Sequence, residues 1–227
     1  RLITKTRPLR ERTHGSDIAW VGEGFLRSLE RLRRDSVDGL LVHHAADLIG
    51  PSGDRIYSEL NRLKIEGRVR QIGLSAYTGA EVDIILDRYD IDLIQIPLNV
   101  FDQRLVLNGQ LQRLRECGVE IHARSVFLQG LLLMDPETTP PNFLPIRPLL
   151  QAWRDAISKL EMTAVEGAFA FIKSLNIDVA IVGVNSAKHL RSNQQEFFRA
   201  NYEQLDFRKF ALNNEPFINP SSWELIK

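Results

Sequence analysis

The chain has 227 residues, enough for one large domain with a substantial core, and its apolar and charged fractions, 44% and 26%, are ordinary for a globular protein. Lys plus Arg and Asp plus Glu both number 29, and a net charge near zero argues against nucleic acid or an anionic membrane as partner. The single cysteine, Cys117, excludes an intrachain disulfide framework and fits a reducing cytosol. It precedes Gly118 at a helix end and is expected to be packed rather than nucleophilic. No apolar run approaches the roughly 18 residues of a membrane helix. The basic N-terminus lacks the apolar segment of a secretory signal.

In chain order, Leu2 to Lys5 reads as a short strand ending in a lysine. The sequence opens without a Met on what looks like a strand in progress, so an N-terminal part beyond this sequence is expected. Thr6 to Trp20, with Pro8 and Gly15, reads as a loop. Phe25, Leu26, Leu29 and Leu32 have helical spacing, which predicts a helix over Gly22 to Arg33. Leu40-Leu41-Val42-His43-His44 is an apolar run ending in two histidines, so Asp38 to His43 is a buried strand. Ile56, Leu60 and Leu63 mark a helix stopped by Gly67. Val69 to Ser75 and Asp92 to Pro97 are strands, separated by a helix around Val82, Ile85 and Leu86. A helix through Leu107, Leu111 and Leu114 ends at Gly118, and Val119 to Ser125 is the next strand. Gln129 to Pro148 holds five prolines and is expected to be irregular. Helices over Leu149 to Leu160 and Val165 to Leu175 lead to a strand, Asp178 to Val182, and a helix, Ala187 to Phe198. Residues 201–227 form an irregular tail.

Six strands alternating with helices predict a parallel sheet. Two further βα units at the N-terminus would complete a (β/α)8 barrel of about 250 residues. Six strands alone leave two open edges that invite aggregation. The rival is an open doubly wound sheet, but no Gly-x-Gly-x-x-Gly follows the first strand. In such folds ligands bind where strands end. Lys5 ends the first strand, and there it is either a solvated lysine or chemistry. His43 and His44 alternate faces, so one should point into the barrel and one outward. Either could equally be a hydrogen-bonded structural histidine. His43, His122 and Asp47 make a metal set on paper only, because no metal-motif spacing relates them, and no metal is assigned. Ser75, Gln95, Asn99 and Ser125 are uncharged and suit recognition of an amide or hydroxyl. Ser186 is a helix N-cap or part of a phosphate site, and Lys188, His189 and Arg191 favour the phosphate.

Ile3-Thr4-Lys5, Ser28-Leu29-Glu30-Arg31-Leu32, Val37-Asp38-Gly39-Leu40-Leu41-Val42-His43-His44, Gly67-Arg68-Val69-Arg70-Gln71-Ile72-Gly73-Leu74-Ser75 and Ser125-Val126-Phe127-Leu128-Gln129-Gly130-Leu131-Leu132 are individually weak signals. In this order and spacing the chain resembles the aldo-keto reductases, NAD(P)-dependent (β/α)8-barrel oxidoreductases, from their third strand to their tail. The resemblance implies one barrel domain over 1–227, cytoplasmic, that reduces an aldehyde or ketone by hydride transfer from NADPH, with NADH the alternative. Lys5 and His43 match the family's catalytic lysine and histidine. Its aspartate and tyrosine lie upstream of Arg1, so these 227 residues alone are expected to be nearly inactive. Ser75 and Gln95 match the residues that hold the nicotinamide carboxamide, though Ala76 stands where an Asn is common. Asn99 matches a polar residue near that pocket. Arg124 stands where an aromatic ring often stacks on the nicotinamide. Ser125, Phe127 and Gln129 fall in the pyrophosphate segment. Gly183, Asn185, Ser186, His189 and Asn193 fall in the segment that grips the adenosine phosphate and adenine. Substrate walls are expected from 45–53, 129–148 and 207–227, with Phe101, Phe127, Phe143 and Trp223 as apolar candidates. Two other functions fit the same residues: an NADPH-binding barrel with little catalysis, or a metal-dependent lyase using His43, His44 or His122.

Overall fold

The computed structural model describes residues 1–12 and 16–225. Gly15 of the expected first loop lies outside the described residues, as do Ile226 and Lys227 of the expected tail. The chain divides into two compact units, one of residues 1–96 with 108–122 and one of residues 97–107 with 123–227.

In the first unit the strands β1 (Ile3–Lys5), β2 (Val37–Val42), β3 (Val69–Ser75) and β4 (Leu93–Pro97) are parallel neighbours in chain order. β5 (Glu120–Arg124) follows, and its first residue donates its N–H to Asp92 O at 3.0 Å. The central strands are largely apolar on both faces. Leu40, Leu41, Leu74, Leu93 and Ile94 are all fully buried, as the continuous runs required. Helices α1 (Asp17–Leu32), α2 (Ala45–Ile49), α3 (Gly53–Ile65), α4 (Gly79–Arg88) and α6 (Gln110–Glu116) fill the connections. Phe25, Ile56, Leu60, Val82 and Ile85 on these helices are fully buried; each such side chain contributes roughly 1.5–3 kcal/mol.

Gly73 is a point of close approach between strands. It pairs with Leu93, and a Cβ there would lie 1.7 Å from the Leu93 carbonyl oxygen. At the other extreme, Gly67 has φ +70° and open space around it, as the end of α3 requires.

In the second unit, β6 (Val179–Ala180) follows the end of β5, with Ile181 N donating to Ala123 O at 2.8 Å. α5 (Arg104–Leu107), α7 (Arg147–Ser158), α8 (Ala164–Ser174), α9 (Ala187–Arg199) and α10 (Glu215–Ile218) complete the regular elements. Trp153 of α7 meets Phe210 edge to face at 5.2 Å, and Phe171 of α8 meets Phe207 at 5.3 Å. The tail is thereby packed into this unit's core. Gln103 Nε2 also donates to Phe207 O (2.6 Å) and Val100 O (2.7 Å).

Several boundaries differ from the sequence reading. α1 begins at Asp17, not Gly22, because Ser16 Oγ caps it by accepting from Ala19 N, and Trp20 and Val21 are buried. The loop expected over 45–53 is largely helical, holding α2 and the start of α3. The helix expected to reach Gly118 in one piece is broken at Gly109, which has φ +88°. β6 has two residues instead of five, as it ends this unit's part of the sheet and no described strand follows it. The Gln129–Pro148 segment lacks α-helix until Arg147 and contains short 3-10 turns, as its prolines required. Cys117 is exposed, not packed, because the helix end at Gly118 faces solvent.

Candidate active site

Strand register decides which candidates meet. Lys5 pairs with Leu41, Leu41 with Gly73, and Gly73 with Leu93. Partners in a parallel pair share a face, and the side-chain period is two. Two residues further along β3 and β4 come Ser75 and Gln95, themselves paired, while His43 lies one residue past the end of β2. The register thus puts Lys5, Ser75 and Gln95 on one face at the carboxyl ends of their strands, where parallel sheets carry their ligands, and His43 directly follows the end of β2, the strand between β1 and β3. Ser75 and Gln95 are buried, and the Ala76 N–H donates to Gln95 O at 3.0 Å.

His43 is held closely. Its N–H donates to Thr6 Oγ1 at 3.2 Å, and Thr6, itself buried, donates its own N–H to Leu41 O at 2.9 Å. Sequence reasoning missed Thr6; the one signal was a hydroxyl directly after a strand-end lysine. The expectation that His43 and His44 face opposite ways is corrected. Their rings stack, with centroids 4.6 Å apart and planes 4° from parallel. β2 ends at Val42 and the chain turns into α2 with His44 at the N-cap, so strand alternation no longer applies. Asp47 of α2 accepts from Leu9 N at 3.2 Å, and burial pushes its carboxyl above the usual range.

His122 belongs to a different group. Its Nε2 lies 2.7 Å from Glu120 Oε1, and Glu120 also receives Arg1 (2.6 Å) and Gln71 (3.0 Å). The Arg1 guanidinium, against opposing desolvation, draws the Glu120 carboxyl down to about 2. The paper set of His43, His122 and Asp47 is therefore not assembled: among the described residues no three His, Cys, Asp or Glu side chains are grouped to hold a metal ion.

In the second unit Arg124 ends β5, and its Nη1 lies 3.5 Å from Ser125 Oγ. Ser125, Leu128 and Gln129 have φ of 58°, 46° and 53°, costly for residues with a Cβ, and Gly130 follows at 89°. Leu128 N to Ser125 O (2.8 Å) and Gly130 N to Phe127 O (2.9 Å) close the turn. Asn99 is fully buried and ties this loop down, its Nδ2 donating to Ser125 O while its Oδ1 accepts from Phe101 N and Asp102 N. Its amide is committed to the backbone. Phe127 packs edge to face on Phe169 at 5.2 Å, and Gln129 is exposed. The apolar wall candidates are mainly packing residues: Phe101 is fully buried, and Phe143 meets Trp223 at 4.7 Å.

Gly183 to Ser192 are all exposed. Ser186 Oγ accepts from His189 N at 3.1 Å, so the cap is formed, and Lys188, His189 and Arg191 stand exposed on the first turns of α9. Asn185 and Gly183 precede the cap, and an added Cβ at Gly183 would meet nothing. Asn193 is buried, and its Nδ2 has no hydrogen-bond partner among the described residues. A free cationic helix start together with an orphaned buried amide donor fits the phosphate and base of a nucleotide.

A model of the Aldo/keto reductase family matches residues 1–210. An NADH-specific methylglyoxal reductase of Escherichia coli (strain K12) is 24% identical over 190 residues, covering 76% of this chain and 58% of the relative. Oxidoreductase YdhF of the same organism is 29% identical over 116 residues, 50% of this chain and 38% of that protein. The chain thus spans about half the length of these curated relatives. Aldo-keto reductase AKR11C1 from Bacillus halodurans, in its apo form, superposes with a TM-score of 0.73 at 21% identity, over 92% of this chain and 69% of its own. An aldo/keto reductase from Klebsiella pneumoniae in complex with NADP and acetate gives a TM-score of 0.62 at 16% identity, over 86% and 64%. Among the described residues no helix is long and apolar enough to cross a membrane.

Proposed function

Since the chain belongs to the aldo/keto reductase family, we propose that it serves the reduction of a small aldehyde or ketone to an alcohol with a nicotinamide cofactor, NADPH in preference to NADH. The observation that supports this reading is that Lys5, Ser75 and Gln95 share one face at the carboxyl ends of their strands, with His43 directly after the end of β2, the strand between β1 and β3. When bound, the cofactor supplies the hydride. In the first unit, the Ser75 hydroxyl and Gln95 amide offer a donor and acceptors for a carboxamide. His43 orients the carbonyl oxygen and moves a proton to it, and Lys5 supplies positive charge as that oxygen becomes anionic. In the second unit, Arg124, Ser125, Phe127 and Gln129 form the pyrophosphate segment. Gly183, Asn185, Ser186, His189 and Asn193 take the adenosine end.

The family's acid tyrosine and its aspartate have no matched position within these 227 residues, and we include slow turnover by this polypeptide in the proposal. The preference for NADPH rests on Lys188, His189 and Arg191, three cationic or proton-binding side chains exposed beside one helix start.

Titration with NADPH and NADH followed by fluorescence, then a carbonyl screen, tests both parts. NADPH is expected to bind at least tenfold tighter than NADH, and the double variant Lys188→Ala/Arg191→Ala to erase that ratio while leaving NADH unaffected. Absence of binding by either cofactor would overturn the proposal, and a ratio favouring NADH would overturn the preference.

A further inference from the structure

We propose that Thr6 and His44 are positioning residues for His43, one fixing its backbone and the other the plane of its ring. The inference rests on the role of His43 given above. Two contacts carry it. The His43 N–H donates to Thr6 Oγ1 at 3.2 Å, and the imidazoles of His43 and His44 stack at 4.6 Å and 4°.

His43 lies one residue past the end of β2, so no strand pairing fixes its ring. A residue at such a boundary would ordinarily sample several rotamers. Thr6 continues β1 on the neighbouring strand. Its N–H is spent on Leu41 O, its hydroxyl oxygen receives His43, and it is buried. The hydroxyl thus ties the residue after Lys5 to His43, coupling the ends of β1 and β2.

His44 begins α2, and its neighbours Ala45 and Leu48 are buried. Its Nε2 is buried and has no hydrogen-bond partner among the described residues. A buried polar nitrogen left without a partner costs stability, so Nε2 does not hold the ring in place. The contact that the geometry gives this ring is the face of His43. A flat ring fixed on one side restricts rotation about the His43 side-chain bonds, and a catalytic group misplaced by about 1 Å can lose a hundredfold in rate.

The two contacts predict a pattern that a merely structural role does not. Thr6→Ser and His44→Phe keep the hydroxyl and the stacked ring; Thr6→Val and His44→Ala remove them. NMR of histidine-labelled protein should show a ring-current shift of the His43 ring that survives in His44→Phe and vanishes in His44→Ala. Turnover, however slow, should fall about tenfold or more in Thr6→Val and His44→Ala, with cofactor affinity unchanged, and stay within about twofold in Thr6→Ser and His44→Phe. Wild-type turnover in His44→Ala, or an equal fall in His44→Phe, would overturn the assignment. His44 is only partly buried, so its pair of variants decides the matter even where Thr6→Val fails to fold. Should wild-type protein bind cofactor yet reduce no carbonyl, the reductase reading falls. The ring shift then decides this inference alone, and a His43 ring indifferent to His44→Ala overturns it.

Discussion

Replacing Gly73 by alanine tests how closely β3 and β4 must approach. The new methyl would sit 1.7 Å from the Leu93 carbonyl oxygen, with the Leu41 Cδ2 at 3.3 Å on another side. Ordinary contact needs roughly 3.5 Å, so one strand must move by more than about 1 Å. The obstacle is backbone and cannot rotate away. A displacement of that size breaks the ladder hydrogen bonds around the Gly73–Leu93 and Ser75–Gln95 pairs, each worth about 1 kcal/mol. The expected loss is about 3 kcal/mol or more, a large part of a typical domain's stability. Gly67→Ala is the control. It strains a φ of +70° but meets no neighbour, and should cost about 1 kcal/mol. Urea unfolding followed by tryptophan fluorescence separates the two. Cofactor affinity should fall in Gly73→Ala, because Ser75 and Gln95 lie two residues beyond the clash. If Gly73→Ala unfolds at the same urea concentration as Gly67→Ala, the close-approach argument is wrong.

Two further outcomes follow from polar groups held by several hydrogen bonds. The Glu120 carboxyl titrates near 2 in the folded protein and near its ordinary 4.5 when unfolded, so it stabilises above pH 4.5 and that contribution drains away between pH 4.5 and 2. After allowance for its partial exposure this is about 1–2 kcal/mol. Acid unfolding of Glu120→Gln should show a shallower pH dependence over that interval, and an unchanged profile would exclude the role. Asn99→Ala strips three hydrogen bonds from a fully buried site and should destabilise by about 2–4 kcal/mol. Faster proteolysis around Ser125 to Gly130 would report the loosened loop, and wild-type resistance would show that the loop holds itself.

Strands and helices were legible because apolar runs and helical spacing report burial directly. Leu40 to Val42 and Ile72 to Leu74 are buried along their length. Lys5, His43, Ser75 and Gln95 were legible one residue at a time, as polar groups ending apolar runs. That Lys5, Ser75 and Gln95 share a face was not, because it depends on register between strands tens of residues apart. Local rules failed where the chain leaves regular structure. His43 and His44 obey strand alternation only if the strand continues, and it stops at Val42. The part Asn99 plays in clamping the loop was not legible, since nothing in its sequence neighbours reveals the Ser125 carbonyl it binds. Thr6 was silent because its partner lies on another strand. Cys117 misled because a helix end beside glycine can face solvent as readily as core.

The shared register also sets where the chain can tolerate a change of length. One residue inserted between Gly73 and Ser75 would turn Ser75 to the opposite face while Gln95 kept its own, separating two side chains that now lie side by side. The same residue inserted near Gly67, before β3 enters the sheet, could be absorbed by the open turn with every pairing intact. Tolerance to insertion should therefore be steeply graded along β3, high at its entry and absent at its exit.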